Sequence, residues 1–146
     1  MTAGRTYASA AHPAASRATS PSRACIVIAD DNADLLQMLA WFLEGEGFEV
    51  HTAVNGREAL ELGESLRPAV MILDLGMPDV DGYEAAKRVR SASWGVDMKL
   101  VAHSGYGRRE DKRRAHAAGF DVHLTKPIDP HDLVRLIEEL QDARES

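Results

Sequence analysis

Five short apolar runs alternate with longer segments of helical periodicity from Ala24 onward. That alternation restricts the chain to α/β architectures built on a parallel sheet. The runs are Cys25–Ala29, Phe48–Ala53, Ala69–Leu73, Leu100–His103 and Val122–Thr125. Each is of strand length and rich in Val, Ile or Leu, as strands buried on both faces are. Between the first two, Leu35, Leu36, Leu39, Phe42 and Leu43 recur at helical spacing, and Gly45 and Gly47 supply a stop. Asn55 suits the cap of a second helix and Tyr83–Arg90 forms a third. Arg108–Ala118 forms a fourth that ends at Gly119, and Asp129 caps a fifth beginning at Pro130. Right-handed crossovers then place a ligand site beyond the carboxyl ends of the strands, where the topology reverses.

The 146 residues suit one domain of ordinary size. Residues 1–23 stand apart. They are rich in Ala, Ser, Thr and Arg, carry few large hydrophobes, and are expected to be a disordered tail with no chemistry of their own, leaving 24–146 as the folded domain. The formal net charge is -6, but setting aside Arg5, Arg17 and Arg23 leaves 14 basic against 23 acidic residues, so the body sits at -9. An acidic body repels nucleic-acid phosphates, which argues against DNA binding and suits a cation site. Cys25 is the sole cysteine and lies in an apolar run, which reads as a small buried hydrophobe and excludes an internal disulfide or a CxxC zinc site. No stretch approaches the length of a membrane span and no secretory signal is evident, so a cytoplasmic location without membrane attachment is expected.

Asp30 and Asp31 directly follow the first predicted strand, and Asp74 follows the third. A single Asp at a strand end reads as a cap or turn residue. Three at converging ends repel one another and require a cation or a raised pKa. Mg²⁺ fits, because it prefers oxygen ligands and keeps several waters whose places phosphoryl oxygens can take. Lys126 follows the fifth strand and Ser104 closes the fourth. Alone they are a surface lysine and a polar strand end; beside the acids they offer an ammonium and a hydroxyl to a bound anion.

Together, the acids of IVIADDN, the Asp of MILDLGMPDVDGYE, the hydroxyl of VAHSG and the lysine of HLTKP resemble the receiver domain of response regulators in two-component signalling, over roughly residues 24–141. The resemblance is to the single-domain type or to receivers joined to hybrid kinases. It implies a flavodoxin-like doubly wound (βα)5 sandwich of three layers with parallel sheet order 2-1-3-4-5. It implies that Asp74 takes a phosphoryl group from the phosphohistidine of a sensor or hybrid histidine kinase, or of a phosphotransfer protein. Asp31, Asp74 and the Gly76 carbonyl would hold Mg²⁺, with Asp30 acting through water, and Ser104 and Lys126 would stabilise the phosphoryl oxygens. The chain would catalyse only its own phosphoryl transfer and dephosphorylation, and would pass its signal to a downstream protein target.

The same resemblance marks departures. Gly76 offers no side chain where many relatives carry a polar one, and Tyr106 stands close enough in sequence to shield the site and prolong the phosphorylated state. His123 occupies the position of an aromatic switch residue; the alternative is a solvated strand histidine. The Lys126–Pro127 peptide is expected to be cis. Arg108, Arg109, Lys112, Arg113 and Arg114 read as a solvated helix face or a docking surface, and His103, Met77, Trp41 and Trp94 as packing or surface residues. Two other classes compete: a Mg²⁺-dependent phosphohydrolase, which needs a cap or substrate pocket that this length does not supply, and a flavin module, which lacks a phosphate-cradling loop here.

Overall fold

The computed structural model describes residues 23–105 and 107–145, the last three by backbone alone. Residues 1–22 of the expected tail, and Tyr106 with its shielding role, lie outside the described residues. Arg23, counted with the tail from sequence, is placed: its guanidinium stacks 4.2 Å over the Phe48 ring and pairs with Glu138 at 2.5 Å.

The elements alternate as the apolar runs require: β1 (Cys25–Ala29), α1 (Ala33–Gly45), β2 (Glu49–Ala53), α2 (Gly56–Leu66), β3 (Val70–Asp74), α3 (Gly82–Ser91), β4 (Lys99–Ser104), α4 (Arg109–Ala118), β5 (Val122–Thr125) and α5 (Pro130–Glu145), with one 3-10 turn at Ser93–Gly95. The strands form one parallel sheet in the order β2-β1-β3-β4-β5. β1 and β5 occupy the expected residues. The middle strands shift by one residue at their ends, for visible reasons. Phe48 belongs to the end of α1, where its N–H donates to the Leu43 carbonyl at 3.1 Å. At the other end of β3 the ladder runs on into the acid, because Asp74 pairs in register with His103.

Side-chain oxygens cap four of the five helices, α4 being the exception. Asn32 accepts the Leu35 N–H at 3.1 Å, Asn55 that of Glu58 at 2.9 Å, Asp81 that of Glu84 at 2.9 Å, and Asp129 that of His131 at 2.8 Å. Gly119 ends α4 in the left-handed region at φ 115°, as its place in the sequence requires. Gly82 is demanded by proximity instead: a Cβ there would lie 2.5 Å from the Asp74 carbonyl oxygen.

Two apolar layers flank the sheet. On one side Ile26, Ile28, Val70, Ile72 and Val101 meet Leu36, Leu39 and Leu43 of α1 and Leu133 and Ile137 of α5. On the other, Val27, Met71, Leu73 and Leu100 meet small residues of α2, α3 and α4, among them Ala59, Ala85, Ala86 and Ala115, which let the helices lie close. Each fully buried Leu or Ile contributes about 1.5–3 kcal/mol. Strand parity carries this pattern past the core. Asp30 continues the row of Ile26 and Ile28, Asp74 that of Val70 and Ile72, and His103 that of Val101, so all three turn to the α1–α5 face at the carboxyl edge.

Candidate functional site

Asp30 is fully buried and Asp74 is 6% exposed. Asp30 is braced from behind by the Asn32 N–H, which donates to Oδ1 at 2.8 Å, and Asp74 Oδ1 accepts the Gly76 N–H at 3.3 Å. The Lys126 ammonium sits between them, 2.9 Å from Asp30 Oδ2 and 3.5 Å from Asp74 Oδ1. Burial raises the Asp74 pKa above the ordinary carboxylate value, and the charge of Asp30 adds to this; the Gly76 N–H and Lys126 pull the other way. Burial disfavours the Lys126 ammonium, but the two carboxylates more than offset it, so its pKa ends above the usual lysine value and the charge is secure at neutral pH.

His103 lies under the pair, fully buried, with Nε2 3.7 Å from Asp30 Oδ2. Burial pushes its pKa down to about 4 against the opposing pull of Asp30, so the ring is neutral at pH 7. Asp30, Asp74 and His103 present ligand atoms within 4.8 Å of one another. From the sequence His103 reads only as a packing or surface residue. The available clue was its parity with Val101, which points it to the face of the acids.

Ser104 is 6% exposed, and its Oγ lies 3.2 Å from Nε2 of His123. His123 is therefore half-buried and engaged, not the solvated strand histidine that was the alternative; burial, then the charge of Lys112, holds its pKa below the ordinary value. The backbone locks the same junction, since the Lys126 N–H donates to the Ser104 carbonyl at 2.7 Å and the Lys126–Pro127 peptide is cis, as expected. Asp31 is exposed, one residue beyond the buried group. At Gly76 a Cβ would meet open space within 4 Å. A cavity of about 390 Å³ opens beside Asp74, lined by that residue with Gly76, Tyr83, Ser104, Asp111 and Arg114. Arg114, assigned from sequence to the basic face of α4, stacks 3.9 Å over the Tyr83 ring at this cavity. The structure thus gathers Asp30, Asp74, Lys126 and Ser104 from four strand ends, joins His123 through Ser104, and leaves Asp31 at the rim.

A five-stranded parallel sheet of order 2-1-3-4-5, with buried carboxylates, a lysine and a hydroxyl at its carboxyl edge, defines a flavodoxin-like doubly wound domain with its site at the topological switch point. The response regulator receiver domain model matches residues 26–138, and the chain belongs to that family. An uncharacterized 14.6 kDa protein in the sodA1 3' region of Leptolyngbya boryana is 40% identical over 114 residues, covering 78% of this chain and 87% of that protein. The transcriptional regulatory protein SrrA of Staphylococcus aureus is 32% identical over 79% of this chain, which spans only 46% of SrrA. Among solved structures, the chemotaxis protein CheY4 of Vibrio cholerae superposes with a TM-score of 0.78 at 31% identity, covering 82% of this chain and 99% of its own. A CheY-like receiver domain protein of Methanospirillum hungatei gives 0.78 at 31% identity, covering 85% and 98%. The chain is a receiver domain of two-component signalling, and among the described residues no helix is long and apolar enough to cross a membrane.

Proposed function

We propose that Asp74 accepts a phosphoryl group from the phosphohistidine of a sensor or hybrid histidine kinase, or of a phosphotransfer protein, and that this event switches a protein-binding surface. The observation that carries the reading is the Lys126 ammonium held between two buried carboxylates, 2.9 Å from Asp30 and 3.5 Å from Asp74, the second of which lines a cavity. An Asp74 oxygen forms a bond to phosphorus while the phosphorus–nitrogen bond of the donor breaks; the imidazole leaves with the electron pair and takes a proton from solvent. Lys126 turns from its carboxylates to one phosphoryl oxygen, and the Ser104 hydroxyl donates to another.

The residues fit a divalent ion of oxygen-seeking type. Two carboxylates share the pocket, and burial, then the charge of Asp30, raises the Asp74 pKa, which a cation would offset. Asp74, Asp31 and the Gly76 carbonyl would hold Mg²⁺ directly and Asp30 through water. Bound there, it supplies positive charge between the nucleophile and the incoming phosphoryl oxygens.

Ser104 gives up His123 when it moves to the phosphoryl group, so the His123 ring is released as the acceptor fills. This makes His123 the switch residue and the α4–β5 face the surface read by a downstream protein. The acidic body disfavours DNA as the target. The reading places the protein in the cytoplasm with its kinase. Incubation with Mg²⁺ and a small phosphodonor should add one phosphoryl group by intact mass to the wild type and none to Asp74→Asn. Equal labelling of both proteins would sink the assignment of Asp74.

A further inference from the structure

At the end of β1 opposite to the acids, about 16 Å away by strand length, side chains of another kind converge. Cys25 opens β1 and pairs in register with Glu49 of the edge strand β2. Glu49 and His51 are two residues apart, so their side chains share one face of the strand, and the register puts Cys25 on that face too. Thiol, carboxylate and imidazole offer ligand atoms within 4.8 Å of one another, and His51 Nε2 lies 2.7 Å from Glu49 Oε2. Cys25 is half-buried, whereas the His51 and Glu49 side chains are 35% and 49% exposed, so the group opens to solvent on one side.

We propose that Cys25, Glu49 and His51 form a binding site for a borderline divalent cation of the Zn²⁺ class, separate from the acidic pocket. One sulfur, one nitrogen and one carboxylate oxygen, with an open side for water, make the donor set and coordination number that Zn²⁺ favours. Mg²⁺ takes oxygen ligands and has no use for the sulfur. Zinc–ligand lengths of about 2.0–2.3 Å at tetrahedral angles put ligand atoms roughly 3.3–3.8 Å apart. The widest spacing, at most 4.8 Å, therefore needs to close by about 1–1.5 Å, and the His51–Glu49 pair to open from 2.7 Å by roughly 0.6 Å or more, both within the reach of side-chain rotation.

Binding exchanges a proton for a metal. Burial, then the charge of Glu49, pushes the Cys25 thiol up to about 11, so the apo site holds a protonated thiol. A bound cation offsets both influences by its positive charge. On binding, a sulfur–metal bond forms, the thiol proton leaves to solvent, and the carboxylate that opposed ionisation becomes a ligand.

The test uses the tag-free full chain in saturating Mg²⁺, with Co²⁺ as the optical probe and Zn²⁺ as its competitor. Wild type should bind one equivalent of Co²⁺ with a thiolate-to-cobalt charge-transfer band that Zn²⁺ abolishes. Cys25→Ser should lose the band, His51→Ala and Glu49→Gln should bind about tenfold or more weakly, and Asp74→Asn should keep band and affinity alike. Zn²⁺ should also slow alkylation of Cys25 in the wild type, a readout that needs no variant. The proposal is overturned if Co²⁺ gives no charge-transfer band, if the band persists in Cys25→Ser, if affinity is unmoved in His51→Ala, or if Zn²⁺ leaves alkylation unchanged. Loss of binding in Asp74→Asn alone would assign the metal to the acidic pocket and likewise overturn it.

Discussion

Burial holds the His103 ring at a pKa of about 4 in the folded protein, whereas an exposed histidine titrates at 6.5. Below pH 6.5 the unfolded chain therefore takes up a proton that the native ring refuses, and stability falls as pH drops from 6.5 toward about 4. In the presence of a chelator, His103→Leu should flatten the pH dependence of the thermal midpoint across that window; an unchanged slope would show that the ring is not the origin. Asp74 works in the opposite sense. Its folded pKa is raised, so its stabilising contribution is present when it is protonated and is lost as pH rises through the folded value. Above that value the ionised Asp74 opposes folding, and there metal-free Asp74→Asn should melt above the wild type, a result read directly by calorimetry at fixed ionic strength. From sequence, the acids, Ser104 and Lys126 were legible because each follows an apolar run. His103 was not, since its meaning comes from facing Asp30 on a non-neighbouring strand.

Arg90, near the end of α3, knits together elements that the sheet leaves loosely joined. Its guanidinium donates to the Gly119 carbonyl at 2.9 and 2.7 Å, to Gly95 at 3.0 Å, to Met98 at 2.6 Å, and to Asp121 Oδ2 at 3.0 Å. Asp121 in turn accepts the Leu100 N–H at 2.8 Å at the start of β4. Arg90→Ala should destabilise the domain by about 2–3 kcal/mol in urea unfolding, because it strips partners from several part-buried oxygens at once. Arg90→Lys should recover little, since a point ammonium does not span the fork; a loss under about 0.5 kcal/mol for Arg90→Ala would refute the role. No periodicity announces such a residue. Its partners are backbone carbonyls 5 to 29 positions away and a carboxylate 31 away, whereas strands and caps declare themselves through local apolar runs and single polar residues. Strand ends were misjudged by one residue where a hydrophobe such as Phe48 ends a helix, or where the ladder carries an acid such as Asp74.

For the molecule as a whole, an acidic pocket inside a chain of net charge -6 makes stability depend on the cation supply. If Mg²⁺ binds only the folded acids, it should stabilise the domain by about 2.7 kcal/mol at one hundred times its Kd. Thermal scans across a Mg²⁺ series should show this rise in the wild type and a much smaller one in Asp74→Asn; equal responses would place the ion elsewhere. The global layout was readable because right-handed crossovers leave few ways to wind five βα units, and the ends of β1, β3, β4 and β5 then meet. What escaped the sequence were cross-strand partnerships such as Ser104 with His123, which depend on the β4–β5 register. That seam has a mechanical consequence. With the Lys126 amide fastened to the Ser104 carbonyl at 2.7 Å, the ammonium and the hydroxyl ride on one coupled hinge of backbone. Hydrogen exchange at that one amide should therefore change if Asp74 is phosphorylated as proposed.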